Sequence, residues 1–329
     1  MDQDLARKLE LLASNKQTID HEYMFEMGLS QAVAALLFAI ADQPADIERM
    51  RECRKILSKK VSALSPFRDS TELVVLARMA MAQDPEKYID DTLEIYKIFS
   101  KGEFFSDSYM VLTSMIVCDS NQKDNAAAIK ARTDEIMRRM AKEHPLLTSN
   151  EDLALAALLA MTGREIDDII GDMEECYSYT KNELRLGVDA NSIQTLAQIL
   201  ALTDDNIRFQ CDRIADLFRA FKDNKHKFGS YLEFPALATL IDVNRPTEWL
   251  VRDIIEGAEM LGKNKGFYGL EMDKQTRLMF SAMVASEVYK TDSTDDELNK
   301  TIINNTVLTM IIAEEIALMI IMMNTTMMN

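Results

Sequence analysis

The side chains whose chemistry could support catalysis or metal binding are few in this sequence, and they are widely separated. The three histidines are His21, His144 and His226, and none belongs to an H-E-x-x-H or Glu-x-x-His motif that could bind a metal. The chain also contains no G-x-S-x-G and no G-x-x-x-x-G-K-[ST] motif. We therefore predict no catalytic residue, no metal site and no cofactor.

Two short segments carry residue types that could bind a ligand. Residues 262–269 read GKNKGFYG, but no strand precedes them and no Lys-Ser or Lys-Thr opens a helix after them. A helix cap followed by a turn is therefore favoured over a phosphate-binding loop. Asp168, Asp172 and Glu175 lie on one face of a predicted helix, which is typical of a solvated face; divalent-cation binding is the alternative.

The charge and cysteine content limit the classes of partner and the compartment. The chain has 54 acidic and 37 basic residues, a formal net charge of −17, which disfavours nucleic acid as a partner. Solubility explains such acidity, and recruitment of a basic partner is the alternative. The four cysteines are far apart and sit in apolar patterns, and no basic, apolar leader opens the chain, so we predict a reduced, cytoplasmic protein.

The elements that must position any site are predicted to be helices. The chain has only 10 glycines and 6 prolines in 329 residues, too few turn residues for a sandwich or barrel of short strands. A block of eight apolar and small residues recurs about every 40 residues. Its seven copies span residues 32–39, 73–80, 109–116, 153–160, 193–200, 234–241 and 278–285.

A second, amphipathic pattern follows most of these blocks after a polar break. The clearest example is Ile207, Cys211, Ile214, Phe218 and Phe221, whose spacing places them on one stripe of a helix. Each unit is therefore predicted to be a helical hairpin, and neighbouring hairpins must stack to bury a continuous core. The fold class is all-α, with about seven hairpin repeats in an α-solenoid or α/α superhelix. The sequence leaves open whether the array is open or closed.

The predicted organisation is a single domain over residues 1–329, with an N-terminal capping region at residues 1–30. An apolar C-terminal helix is predicted within residues 301–329, because residues 306–323 read TVLTMIIAEEIALMIIMM. Its apolar character all round favours burial within the chain. A homo-oligomer interface is the first alternative, and membrane association is disfavoured because two carboxylates interrupt the apolar run.

Three segments and the Ile/Met-rich tail together resemble a bacterial family known only as domain of unknown function 4003. The segments are Ser65–Ser70, His144–Asp152, and the stretch from Gly266 through Tyr268 and Gly269 to Met279. The resemblance runs over nearly the whole chain. It implies a bacterial, cytosolic, helical protein and supplies no activity. Glu314 and Glu315 stand where uncharged polar residues are expected in relatives, which puts any family role of the tail in doubt.

The function favoured by these observations is a protein-interaction scaffold of the α-solenoid type. The alternative is an enzyme or a small-molecule binder with a pocket between repeats, and a second alternative is a peripheral membrane protein that uses the C-terminal helix. Either a ligand or a partner would be expected to contact the loops between repeats. The residues predicted for that surface are Phe67, Arg68, His144, Gly266, Phe267 and Arg277.

Overall fold

A computed structural model describes residues 1–102, 107–231, 233–268 and 272–290 of the chain. These residues form α-helices joined by short connections, and no strand occurs among them. The helices are α1 (Gln3–Glu22), α2 (Gly28–Ile40), α3 (Ile47–Lys60), α4 (Glu72–Met81), α5 (Pro85–Phe99), α6 (Ser108–Asp119), α7 (Ala126–Glu143), α8 (Leu153–Met161), α9 (Ile166–Ser178), α10 (Ala190–Leu200), α11 (Ile207–Asp223), α12 (Thr247–Leu261) and α13 (Lys274–Tyr289). The predicted C-terminal helix at 301–329 lies outside the described residues.

Shorter turns of other helix types occur between or beside the α-helices. The 3₁₀ turns are Pro66–Arg68, Lys123–Asn125, Asn150–Asp152 and Phe234–Leu240. A π-helical turn, Tyr179–Leu184, continues directly from the end of α9.

The seven recurring apolar blocks all lie in helices, as predicted. Six lie in α2, α4, α6, α8, α10 and α13, and the block at 234–241 forms the 3₁₀ helix Phe234–Leu240 instead of an α-helix. These segments are buried on nearly every side; in α8, each residue after Leu153 is buried. We call these seven segments the buried helices.

The helices between them are amphipathic, and we call α1, α3, α5, α7, α9, α11 and α12 the outer helices. In α11 the predicted stripe of Ile207, Cys211, Ile214, Phe218 and Phe221 is buried throughout. Burying one such stripe removes several apolar side chains from water, which stabilises the packed state by about 1.5–3 kcal/mol for each large side chain. The predicted all-helical class is therefore confirmed for the described residues, and the apolar blocks and the stripe of α11 lie in buried positions.

Local sequence fixes where several helices begin. At α5 the carboxylate of Asp84 accepts hydrogen bonds from the backbone N–H groups of Glu86 and Lys87, both at 3.0 Å, and Pro85 occupies the first turn. This N-cap satisfies N–H groups that have no partner within the helix. The turn before α9 contains Gly163 at φ 73°, a conformation that favours glycine.

Packing between the elements follows the chain and then returns to its start. Successive outer helices contact one another. Successive buried helices also contact one another, except that α4 and α6 each pack against the turn Pro66–Arg68, which lies between them. The first helix, α1, then packs against α12 and α13, and α2 packs against α13. Polar contacts accompany this junction: Asp2 accepts a hydrogen bond from Arg245 at 3.2 Å, and Lys8 lies 3.8 Å from Glu287.

Candidate functional site

The connections that lead from an outer helix into a buried helix lie side by side at one end of the molecule. The hydroxyls of Ser70 and Ser108 are 3.0 Å apart, the Asn150 side chain donates to Asp107 at 2.7 Å, and the Asp189 N–H donates to the Ser230 carbonyl at 3.3 Å. The first contact joins a connection to the first residue of α6, and each of the other two joins two different connections. We call this end the entry face; it comprises the described residues of 23–27, 61–71, 100–107, 144–152, 185–189, 224–233 and 262–273.

Five of the six residues predicted for a ligand or interaction surface lie in these connections, and Arg277 lies in the first turn of the α13 that follows. They form three separate groups. Phe67 and Arg68 occupy the turn between α3 and α4. The Phe67 ring is buried and meets Tyr96 edge-on with ring centres 5.0 Å apart, and Arg68 Nε lies 3.9 Å from a Glu72 carboxylate oxygen.

His144 forms the second group and ends α7. Its Nε2 lies 2.9 Å from Glu174 Oε1 on α9, and its ring centre lies 4.3 Å from that of Tyr177. These contacts connect α7 and α9, two neighbouring outer helices. The imidazole is held in place by the Glu174 carboxylate at Nε2 and by the Tyr177 ring.

Gly266, Phe267 and Arg277 form the third group. Arg277 Nη1 donates to the carbonyls of Phe267, at 3.2 Å, and Met272, at 2.5 Å, while the Phe267 ring is buried. Gly266 has φ 94°, and a Cβ there would come within 2.6 Å of the Asp20 carboxylate. Arg277 thus secures the loop before α13, and the glycine allows that loop to approach α1 closely.

Exposed apolar side chains mark the same face, and the sequence analysis did not single them out. Phe25 is 97% exposed, Leu64 96% and Leu146 96%, each in a different connection. Three more exposed apolar or aromatic residues lie in these connections: Met24, Tyr231 and Tyr268. The residue types are visible in the sequence, but only the fold places them at one end of the molecule.

The exposed charges of the entry face are mainly positive, although the chain carries a net charge of −17. Six cations in the described connections are exposed: Lys101, Arg185, Lys225, Lys227, Lys263 and Lys265. Asp69 and Asp273 are the exposed carboxylates there within the described residues. Basic residues concentrate where the outer helices end because the carbonyl end of a helix carries partial negative charge. Acidic residues such as Asp107 instead turn inward and cap the buried helices.

A buried carboxylate lies beneath this surface, at the start of α8. Asp152 accepts hydrogen bonds from the Ser149 N–H at 2.8 Å and from the side-chain amides of Gln194 and Gln198 at 2.9 and 2.5 Å. Burial raises the pKa of Asp152 above its ordinary value although these donors oppose the rise. Burial, followed by the nearby Asp152, also raises the pKa of the adjacent Glu151.

The opposite end of the molecule is built differently, around arginines that hold the carbonyl ends of buried helices. Arg49 Nε donates to the Ala80 carbonyl at 2.7 Å, and Arg132 Nε donates to the Ala160 carbonyl at 3.0 Å. An open cleft of about 690 Å³ lies beside Arg49, between the ends of α2 and α4 and the start of α3. Since Arg49 is engaged by carbonyls, its guanidinium serves the packing of these helices.

The structure bears on two chemistries considered from the sequence. Asp172 pairs with Arg164 at 2.6 Å, and Glu175 pairs with Arg208 at 2.8 Å. Within the described ranges, no group of three or more His, Cys, Asp or Glu side chains is arranged to hold a metal ion. In the same part of the chain, no helix combines the length and the apolar character required to cross a membrane.

The fold and this face define an all-helical protein in which apolar and basic side chains are exposed together at one end. Residues 15–317 match the family model described as "Protein of unknown function (DUF4003)". The match covers most of the chain, so the chain belongs to this family, as the sequence motifs indicated. Neither the curated proteins nor the solved structures include a match to it.

Proposed function

We propose that the chain is a closed ring of seven helical hairpins that serves as a protein-interaction scaffold in a bacterial cytosol. Its entry face binds an acidic protein segment that carries apolar side chains. The observation that carries this proposal is the exposure of Phe25, Leu64 and Leu146 on three different connections of one face. Several large apolar side chains exposed on one face are typical of an interaction site.

The ring is supported by the order of the helix contacts. Each outer helix precedes a buried helix, and packing proceeds from hairpin to hairpin until α1 meets α12 and α13. A stack of hairpins buries a continuous core between neighbours. Closing the stack covers the apolar sides that the two terminal hairpins would otherwise expose.

The spread of the exposed side chains favours a macromolecular partner over a small molecule. Phe25 precedes α2, Leu64 precedes α4 and Leu146 precedes α8, so one ligand must reach several hairpins to cover them. A small ligand is normally enclosed within one concave pocket. The exposed lysines nearby, including Lys101 and Lys263, make negative charge the complementary feature of the partner.

Peptide binding to the full-length protein tests this proposal. Two fluorescently labelled helical peptides would share one leucine pattern, with glutamates in the first peptide where the second has lysines. We expect the glutamate peptide to bind about tenfold more tightly, because it pairs with the exposed lysines. The double variant Phe25→Ser and Leu146→Ser should weaken that binding about tenfold or more, since burial of each side chain contributes about 1.5–3 kcal/mol.

The matched control is Phe209→Ser with Trp249→Ser, which removes two aromatic side chains that are exposed where outer helices begin, at the opposite end. This control should bind the glutamate peptide like the wild type. Equal affinity for both peptides, or equal loss in both double variants, would contradict the proposal. So would binding of anionic lipid vesicles or of an oligonucleotide in preference to the peptide.

A second copy of the chain is one source of such a segment. Residues 306–323 combine a long apolar run with Glu314 and Glu315. A synthetic peptide of these residues is therefore the third probe. Its binding, together with a concentration-dependent mass of the full-length protein in light scattering, would identify the partner as another copy. A monomeric mass at every concentration would assign the entry face to a different protein.

A further inference from the structure

Two of the four cysteines are in contact, although 35 positions separate them in the sequence. Cys176 on α9 and Cys211 on α11 have sulfur atoms 3.4 Å apart, and both side chains are buried between these neighbouring outer helices. A disulfide bond is about 2.05 Å long, so the sulfurs need to approach by only about 1.4 Å to bond. Cys53, on α3, and Cys118, on α6, are free thiols in other parts of the fold.

The helix that carries Cys176 has an irregular segment immediately after it. Two residues further on, α9 gives way to the π-helical turn Tyr179–Leu184. Turns of this kind are wider than an α-helical turn and are frequent at functional sites. The buried Thr180 in this turn lies beside both sulfurs. A small shift of Cys176 can therefore be absorbed at the π-helical turn without breaking a regular helix.

We propose that Cys176 and Cys211 form an oxidant-sensitive thiol pair, which a hydroperoxide converts to an intramolecular disulfide between α9 and α11. Disulfides in reducing compartments are usually transient and redox-sensing rather than structural. The pair would thus be a reversible modification site. It does not depend on the entry face.

The surroundings of the two sulfurs assign the order of the steps. The side-chain contact with Cys176 lowers the pKa of the Cys211 thiol, whereas the contact with Cys211 and burial raise the pKa of the Cys176 thiol. Cys211 therefore ionises first and is the nucleophile.

The thiolate of Cys211 attacks one oxygen of the hydroperoxide, the O–O bond breaks, and an alcohol or water leaves. Cys211 becomes a sulfenic acid. The Cys176 sulfur then attacks the Cys211 sulfur, and water leaves as the disulfide forms. In total, two thiols lose two electrons and two protons, and the peroxide takes up both. A dithiol reductant reverses the change by thiol–disulfide exchange.

Thiol counting on the full-length protein tests the proposal. The folded protein would be treated with hydrogen peroxide, then unfolded, alkylated and digested for mass spectrometry. We expect the number of alkylatable thiols to fall from four to two, with one peptide cross-link between Cys176 and Cys211. Cys53 and Cys118 should remain alkylatable, and dithiothreitol should restore all four thiols.

Single variants separate the roles of the two sulfurs. In Cys176→Ser, Cys211 should stop at the sulfenic acid and be trapped by dimedone, whereas in Cys211→Ser, Cys176 should stay reduced. Cys53→Ser is the matched control, and the Cys176–Cys211 cross-link should form in it as in the wild type. Circular dichroism confirms that each variant is folded before oxidation.

Several results would overturn the proposal. One is that all four thiols of the folded protein survive the peroxide. Another is a mixture of disulfide pairings that matches the mixture formed when the unfolded protein is oxidised in urea. A third is a disulfide between molecules, with Cys118 as its main site, because the half-buried Cys118 is the thiol that simple accessibility would favour.

Discussion

At the scale of single residues, side chains identical in type have different tasks according to where the fold places them. Arg277 and Arg132 both donate to backbone carbonyls, and the first holds the loop before α13 while the second holds the end of α8. Lys263, by contrast, is exposed at the surface of the entry face, where a binding partner can contact it. Asp152 is an acid whose burial opposes its ionisation.

Asp152 should make the stability of the protein depend on pH. Its pKa is raised in the folded state, so the folded protein binds this proton more strongly than the unfolded chain does. The free energy of unfolding should therefore fall as the pH rises from the ordinary Asp value through the raised one, and stay lower above it. Thermal unfolding between pH 4 and neutrality, compared for the wild type and Asp152→Asn, measures this. In Asp152→Asn, the part of the pH dependence of unfolding that is due to this carboxyl group should be absent.

At neutral pH, the variant Asp152→Ala tests the hydrogen bonds that this side chain accepts rather than its ionisation. It leaves the buried amides of Gln194 and Gln198 without their acceptor, at a cost of about 1–3 kcal/mol for each unsatisfied group. Asp152→Asn keeps an acceptor and should cost much less. Equal losses in the two variants would mean that these hydrogen bonds do not hold α8 to α10.

At the scale of elements, the ends of the helices account for the difference between the two faces. Five of the seven outer helices have an acidic residue in the first turn, such as Glu48 in α3 and Glu86 in α5. Five have a basic residue in the last turn, such as Lys142 in α7. This arrangement suits the helix dipole. Because the outer helices are parallel neighbours, their basic ends gather at one end of the molecule, and a local helix preference becomes a property of a whole face.

The arginines at the opposite end should contribute directly to stability. On α7, Arg132 Nε and Nη2 donate to the carbonyls of Ala160 in α8 and of Arg164 in the turn that follows, at 3.0 and 2.7 Å. We expect Arg132→Leu to lower the free energy of unfolding by about 2–4 kcal/mol, because two charge-assisted hydrogen bonds are lost and the carbonyls remain partly buried. Urea denaturation measures the change.

Arg138→Leu, on the same helix, is the matched control. Arg138 is exposed and pairs with Glu135 within one turn, at 2.6 Å, an arrangement whose contribution is about 0–1 kcal/mol. Similar losses in the Arg132 and Arg138 variants would show that the carbonyl contacts add nothing beyond surface charge.

At the scale of the whole molecule, the decisive feature is the contact between the first helix and the last described ones. Gly257 in α12 lies at this junction: a Cβ there would be 2.3 Å from Ser281 Oγ and 2.7 Å from Leu9 Cδ1. Only a residue without a side chain lets α12 approach both α13 and α1 this closely. The junction therefore depends on close packing as well as on the polar contacts of Asp2 and Lys8.

The proposed closure of the ring should give α1 the same resistance to opening as the middle of the chain. In an open stack, a terminal helix has one neighbouring hairpin and frays first. Here we expect the most protected amides of α1 and α6 to exchange hydrogen with opening free energies that agree within about 1 kcal/mol. Native-state hydrogen exchange with mass spectrometry measures both helices in the same sample.

Gly257→Val should lower the protection of α1 and α12 together, because it forces apart the helices that meet there. Gly171→Val is its control, since a Cβ at Gly171 in α9 meets no atom within 4 Å. Fast exchange throughout α1 of the wild-type protein would contradict closure.

The sequence by itself determined the helical class, the positions of the apolar blocks and the family. These are local properties: the stripe from Ile207 to Phe221 follows the helical period, and motif residues such as His144 and Pro145 are recognised in the order of the chain. It did not determine the contact of α1 with α12, the sharing of one face by Phe25 and Leu146, or the pairing of Cys176 with Cys211. Those features depend on how the helices pack against one another. That packing is set by side-chain contacts between segments far apart in sequence, so only the tertiary structure decided it.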